Sequence, residues 1–195
     1  MTNKHIKSLY VFDIDDTLFQ TTARAKVTNS KGKVKYLNSQ ELKDFKIKDD
    51  EIICFAEFKD SKKFVNESQP INPIIKRAQE CIKKAAYGSK TILLTARSDL
   101  DCKDLFLEYL NSSGLDINRI YVERAGNFAK LKTAEAKKLI ISKYLESHQY
   151  QAAYLFDDSM DNIQSFVQLK KIYPNIRIVP KHVDDTMINE NKFIN

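Results

Sequence analysis

Two carboxylates separated by one residue, Asp13 and Asp15, follow a short apolar run and precede Thr17 in the stretch LYVFDIDDTLF, Leu9 to Phe19. In extended chain, residues two apart point the same way, so both carboxylates can be aimed into one crevice while Asp16 turns aside. A second acidic pair, Asp157 and Asp158, closes another apolar run, and Thr95 closes a third, Thr91 to Leu94. Carboxylates and a hydroxyl gathered in this way suit nucleophilic attack, proton transfer or the holding of a hard cation. Taken singly, each is equally well explained as a solvated acidic turn or a strand-end threonine bonded to backbone.

The segments that deliver these groups are rich in β-branched and aromatic residues, which fits strands buried on both faces of a parallel sheet. Ligands of open α/β sheets bind beyond the carboxyl ends of the strands, where the acidic groups stand. Between the runs the spacing predicts helices. Asn72-Pro73 caps and starts one with Ile74, Ile75, Ala78, Cys81, Ile82 and Ala85 on its apolar face, and Gly88 closes it. Ser98 with Asp101 predicts the start of a second, running through Phe106 and Leu110 to Gly114. A third is expected from Thr133 to Leu145, burying Ala136, Leu139, Ile140 and Tyr144, and a fourth from Ser159 to Lys171. Further strands are expected at Arg119 to Val122, Ala152 to Phe156 and Ile176 to Val179, and the tail from Lys181 carries no assignment. Strands alternating with helices imply an α/β fold with right-handed crossovers.

A chain of 195 residues fits one domain with an elaboration. Its 43% hydrophobic and 30% charged content is that of a globular protein. No apolar run approaches the roughly 20 residues of a membrane span, and MTNKHIKSLY holds no signal-length apolar core, so a cytoplasmic location is expected. Cys54, Cys81 and Cys102 are odd in number and widely spaced, which reads as reduced thiols. His5, His148 and His182 are dispersed and form no metal-binding cluster. The net charge of +6 is matched by a local excess, eight basic against two acidic residues between Arg24 and Lys48. Within it, AKVTNSKGKVKYL reads as a β-hairpin, and the whole of residues 20–71 as a small mixed or irregular cap folded over the acidic site.

FDIDDTLF, LLTAR and YLFDDSMDN, in this order and at these strand ends, resemble the signature set of the haloacid dehalogenase superfamily of aspartyl-phosphate phosphohydrolases. The resemblance covers about residues 8–19 and 72–180, with the core expected over 1–19 and 72–195 and the insertion where that family places its cap. It implies a three-layer Rossmann-like core with a five-stranded parallel sheet of order 5-4-1-2-3. It also implies a phosphatase with Asp13 as nucleophile, Asp15 as acid/base and Thr95 bonding the transferring phosphoryl group, while Thr17 is expected near the substrate. A lysine is expected to steady the charge: Lys137 is preferred and Lys132 is the runner-up. Arg97 resembles the arginine that helps hold substrate in polynucleotide-kinase-type phosphatase domains, the plainer alternative being an ion pair with Asp99 or Asp101.

Two like charges about 4 Å apart at an effective dielectric near 20 repel by roughly 4 kcal/mol, so converging carboxylates call for a cation. All-oxygen ligation points to Mg²⁺. The family pattern implies Asp13, the Asp15 main-chain carbonyl and Asp157 as ligands with Asp158 close by, and Asp161 as support or simply as a first-turn helix acid. The substrate is expected to be a phosphomonoester, with a nucleotide or nucleic-acid phosphate end favoured by the basic hairpin and Arg97. The alternatives are a nucleic-acid-binding or regulatory protein with a vestigial core, and a small-metabolite (sugar phosphate) phosphatase.

Overall fold

The computed structural model describes residues 6–146 and 149–190; His5 and His148 lie outside them. In chain order the elements begin with β1 (Ser8–Phe12), β2 (Phe19–Gln20), β3 (Ala25–Asn29), β4 (Val34–Leu37), α1 (Ser39–Asp44) and β5 (Glu51–Cys54). There follow α2 (Ser61–Glu67), β6 (Gln69–Pro70), α3 (Asn72–Lys83), β7 (Lys90–Thr95), α4 (Lys103–Ser112) and β8 (Ile120–Arg124). The last are α5 (Thr133–Leu145), β9 (Ala152–Asp157), α6 (Met160–Val167), α7 (Leu169–Ile172), β10 (Arg177–His182) and α8 (Asp185–Glu190).

The architecture is α/β and Rossmann-like, with a five-stranded sheet of order β10-β9-β1-β7-β8 in which every pairing is parallel. Period-two alternation sends successive residues of β1 into opposite layers. Tyr10 and Phe12 join Leu93, Ile120 and Phe156 under α3 and α4, while Leu9 and Val11 join Ile92, Leu94, Leu155 and Ile178 under α5 and α6. Because β1 is central and apolar on both faces, its five residues are all buried, and the chain emerges at Asp13 in the middle of the sheet's carboxyl edge. No helix among the described residues is long and apolar enough to cross a membrane.

Helix α3 starts at Asn72 with Ile71 at the cap, one residue earlier than the Asn-Pro signal suggests, so the proline lies inside the first turn, where its missing N–H costs nothing. Helix α4 begins at Lys103, not at Ser98. Asp101 is taken by the insertion: its carboxylate accepts the Ser61 N–H (2.9 Å), and its own N–H donates to the Lys59 carbonyl (3.0 Å). Helix α5 has the expected span, but its inward face carries Ala136, Lys137, Ile140, Ile141 and Leu145, and this rotation leaves Leu139 exposed. The expected helix from Ser159 to Lys171 is broken into α6 and α7. Cys54, Cys81 and Cys102 are unbridged.

Residues after Phe19 leave the core through a two-residue antiparallel neck, in which Phe19 pairs with Pro70 and Gln20 with Gln69. Beyond it, β3 is the middle strand of a three-stranded antiparallel sheet of order β4-β3-β5. The hairpin read from the sequence is its β3–β4 half, with Gly32 at φ 76° in the turn. The return half is fixed differently. Phe64 of α2 is 2% exposed and packs against Phe19, Phe106 and Tyr109, so this part of the insertion belongs to the main core.

Gly126 lies where two loops at the carboxyl edge press together: a Cβ there would stand 2.3 Å from the Ala96 carbonyl oxygen and 2.6 Å from the Ser98 nitrogen. Both are backbone atoms that cannot rotate away. Gly126→Ala is expected to destabilise the protein by about 1–3 kcal/mol, lowering the melting temperature by roughly 2–4 °C per kcal/mol. A melting curve unchanged from wild type would show that the close approach does not matter.

Candidate active site

The parallel register of β1 and β9 sets Phe12 beside Phe156, so the next residues, Asp13 and Asp157, leave adjacent strands side by side. The rings of those two phenylalanines stack at 4.4 Å, and the Asp13 N–H donates to the Phe156 carbonyl (2.9 Å). Lys137 reaches in from α5. Its ammonium lies 2.7 Å from Asp13 Oδ1 and 2.8 Å from Asp157 Oδ2, and the side chain is 2% exposed. Asp157 also accepts the Ser159 N–H (2.9 Å) and both oxygens take Asn162 Nδ2 (2.9 and 3.0 Å). One oxygen each from Asp13, Asp157 and Asp158 falls within 4.8 Å of the others.

Asp15 is engaged by a different cation. Arg97 Nε lies 3.0 and 3.2 Å from its two oxygens and Nη2 lies 2.6 Å from Oδ1. The Thr95 hydroxyl stands 3.4 Å from Asp15 Oδ2 and accepts the Arg97 N–H (3.0 Å), which ties the end of β7 to the loop after β1. Arg97 thus pairs with neither Asp99, which meets Arg124 (3.4 Å), nor Asp101.

The third acidic position meets the insertion. Lys43 of α1 donates to Asp158 Oδ2 (2.7 Å) and to its carbonyl (3.3 Å), with Gln40 Nε2 at 3.5 Å. Asp16, held at φ 56° in the left-handed region, accepts the Ser39 hydroxyl of the same helix. Asparagine and aspartate tolerate that conformation better than most residues. Thr17 is fully buried and its hydroxyl accepts the Asp158 N–H (3.1 Å), so its place is beneath the acidic pair, not at a substrate surface. His182 Nε2 lies 3.1 Å from the Asp158 carbonyl.

The electrostatics divide these carboxylates. Burial drives the Asp13 carboxyl well above its ordinary value, helped by Asp157, Asp158 and Asp15 and only partly offset by Lys137. Burial likewise raises Asp158 against the lowering effect of Lys43. For Asp15 burial is outweighed by the charge and hydrogen bonds of Arg97, which hold the carboxyl below its ordinary range and so in the proton-accepting form. Burial would lower the Lys137 ammonium, but Asp13 and Asp157 hold it well above the usual lysine value.

Of the residues expected from the sequence, Asp13, Asp157, Asp158 and Lys137 come together directly, and Asp15, Thr95 and Arg97 form the adjoining group. Lys132 is exposed at the cap of α5 and joins neither. Asp161 is exposed in the first turn of α6, and the support expected of it comes from Asn162, which α6 turns inward at 7% exposure. Sequence reasoning also passes over Lys43, Gln40 and Ser39, whose only signal is the basic character of the insertion. An all-oxygen set of three converging carboxylates with one buried lysine among them fits a hard divalent cation such as Mg²⁺. No family model matches the chain, and no curated protein matches its sequence.

Removing the Lys137 charge leaves two buried carboxylates facing each other. Lys137→Met is expected to destabilise the cation-free protein by about 3–5 kcal/mol, measured by chemical denaturation; a loss below about 1 kcal/mol, the range of an exposed pair, would deny the lysine that role. A second expectation concerns pH. A carboxyl raised in the fold favours folding at low pH and penalises it once pH climbs from the unfolded value through the raised one. In the absence of divalent cations, Asp13→Asn is therefore expected to melt higher than wild type, by a margin that grows as pH rises above the ordinary carboxylate range. A hundredfold excess of Mg²⁺ over its Kd should stabilise wild type by about 2.7 kcal/mol and the variant much less. Equal Mg²⁺ shifts in both proteins would remove Asp13 from the cation site.

Proposed function

We propose that this chain is a Mg²⁺-dependent phosphomonoesterase of the haloacid dehalogenase type, acting through an aspartyl-phosphate on Asp13. The observation that carries the reading is the Lys137 bridge between Asp13 and Asp157 at the carboxyl edge of the sheet, with Thr95 and Asp15 alongside. The sheet order supports it as well: numbered over the five core strands alone, β10-β9-β1-β7-β8 reads 5-4-1-2-3.

In the first step an Asp13 oxygen attacks phosphorus, an O–P bond forms, and the bond from phosphorus to the leaving oxygen breaks. Asp15, a carboxylate in the free site, takes the proton of the entering phosphate monoanion and passes it to that oxygen, releasing an alcohol and returning to the carboxylate. In the second step water attacks the phosphorus of the acyl phosphate and gives a proton to Asp15. The bond from phosphorus to Asp13 then breaks, restoring the aspartate and releasing inorganic phosphate. Lys137 keeps Asp13 oriented and offsets negative charge on the phosphoryl group, and Thr95 is the hydroxyl beside it. Asp13, Asp157 and Asp158 would hold Mg²⁺, which supplies charge neutralisation for the phosphoryl oxygens.

The insertion supports a nucleic-acid phosphate end as substrate. From Arg24 to Leu37 it carries five basic residues and no acidic one. Cross-strand register puts Lys26 beside Tyr36 and Cys54, and Thr28 beside Val34 and Ile52, on one face of the small sheet. Of these Tyr36 is 49% and Ile52 74% exposed, and the Arg24 guanidinium lies 5.2 Å from the Tyr36 ring centre. A basic surface with an exposed ring suits phosphates and stacked bases together. Strand β4 leads into α1, whose Ser39 and Lys43 touch Asp16 and Asp158, so the small sheet is joined directly to the helix that meets the acidic site.

Purified protein is expected to hydrolyse an aryl phosphate with Mg²⁺ and to lose that activity in EDTA or as Asp13→Asn; turnover by the Asp13 variant would refute the mechanism. For the substrate class, Tyr36→Ala is expected to raise KM for a 3′-phosphorylated oligonucleotide by about tenfold, one stacked base being worth ~1–3 kcal/mol, with the aryl phosphate KM unchanged. Oligonucleotide KM should also climb steeply with salt. No preference for the oligonucleotide over a mononucleotide or a sugar phosphate at low salt would exclude that class.

A further inference from the structure

Arg97 stands where the core and the insertion meet, and it is 3% exposed. One side of its guanidinium forks onto Asp15 through Nε and Nη2, and Nη1 donates to the Phe58 carbonyl of the insertion (2.9 Å). The group also lies against two rings of the insertion, 5.3 Å from the Phe58 centre and 4.9 Å from that of Phe64. A guanidinium held in this way is occupied on the sides that would otherwise meet a substrate.

We propose that Arg97 is a positioning residue: it fixes the direction in which Asp15 faces, and it makes the seating of residues 56–64 of the insertion a condition for proton transfer at Asp15. The proposal rests on the phosphatase reading above. A carboxylate on a loop can turn about its side-chain torsions, and a one-point contact leaves that freedom. The rigid fork of an arginine defines the carboxylate plane, which a lysine ammonium cannot do. The Phe58 carbonyl and the two rings in turn fix the fork, and ring faces attract a desolvated cation more strongly than an exposed one. The loop that bears Arg97 is held from its other side by the close approach of Gly126 to Ala96 and Ser98. Asp15 is therefore aimed by contacts from both the core and the insertion.

Leaving groups distinguish this role from a merely structural one. A nitrophenolate departs readily without a proton, whereas an alkyl oxygen needs one. Arg97→Lys and Phe58→Leu are compared with wild type on p-nitrophenyl phosphate and on an alkyl phosphate such as glycerol phosphate, with Mg²⁺, alongside melting curves. For Arg97→Lys, the first step, read in single turnover as release of glycerol or nitrophenolate, is expected to slow about 10²-fold on the alkyl ester, the low end of what general acid catalysis contributes, and less than about tenfold on the aryl ester, with KM for both nearly constant. Phe58→Leu should show the same selectivity at smaller amplitude and serves alone if the arginine variant does not fold. Equal losses in the first step on the two esters would overturn the proposal in favour of a structural role. A rise in KM for both with kcat preserved would overturn it in favour of a substrate contact. Absence of turnover by wild type on either ester would overturn the phosphatase reading and this proposal together.

Discussion

The buried ammonium of Lys137, bonded at once to Asp13 and Asp157, is the interaction on which the rest of the carboxyl edge depends. Two carboxylates on neighbouring central strands would repel by several kcal/mol at an effective dielectric near 20, and the parallel register of β1 with β9 allows them no other place. The remedy comes from a helix packed on one face of the sheet. Helix α5 must rotate to point a lysine inward, and that rotation determines which of its apolar residues are buried and leaves Leu139 in solvent. The charge constraint therefore prevails over the simplest apolar pattern along that helix. Asn162 completes the arrangement by donating to both oxygens of Asp157, and α6 must present it inward to do so.

The insertion is attached by two kinds of bond with different consequences. Phe64 is inserted among Phe19, Phe106 and Tyr109, an apolar anchor that water does not weaken. The α1 end is attached through polar contacts, Lys43 and Gln40 on Asp158 and Ser39 on Asp16, with the Lys43 side chain 30% exposed. Partly exposed ion pairs contribute little to stability and are screened by salt. The end that touches the acidic cluster is thus the weakly held one, while the anchored end carries the carbonyl and rings that grip Arg97.

What could be read from the sequence, and what could not, follows from the range of each interaction. The strands were legible because burial on both faces leaves a continuous apolar run, as in LYVF and TILLT, and the acidic residues at their ends needed no knowledge of partners. The hairpin was legible for a similar local reason. Arg97 was legible as important but not in its partner, since Asp99 and Asp101 are near in sequence and Asp15 lies 82 residues away. The same cause hid the start of α4: Asp101 looks like a helix cap until Ser61, 40 residues earlier, takes its carboxylate. Asn162 and Lys43 carried no periodic signal, because a polar residue turned inward looks like any solvated one until the fold brings its partner.

The charges around the cluster balance in a way that bears on what can enter it. Asp13 and Asp157 share Lys137, Asp15 has Arg97 and Asp158 has Lys43, while Asp16 is satisfied by a neutral hydroxyl. Five formal negative charges thus face three positive ones, and burial has already driven Asp13 and Asp158 towards the neutral form. One divalent cation would bring the sum to zero and remove the reason for those two carboxyls to hold protons. A phosphate dianion entering without it would meet the whole negative excess. Because Lys43 holds the same carboxylate that a cation would take, any cation bound at Asp158 must share it with, or displace, the insertion's helix, and the state of the acidic site and the attachment of α1 are linked by that single residue.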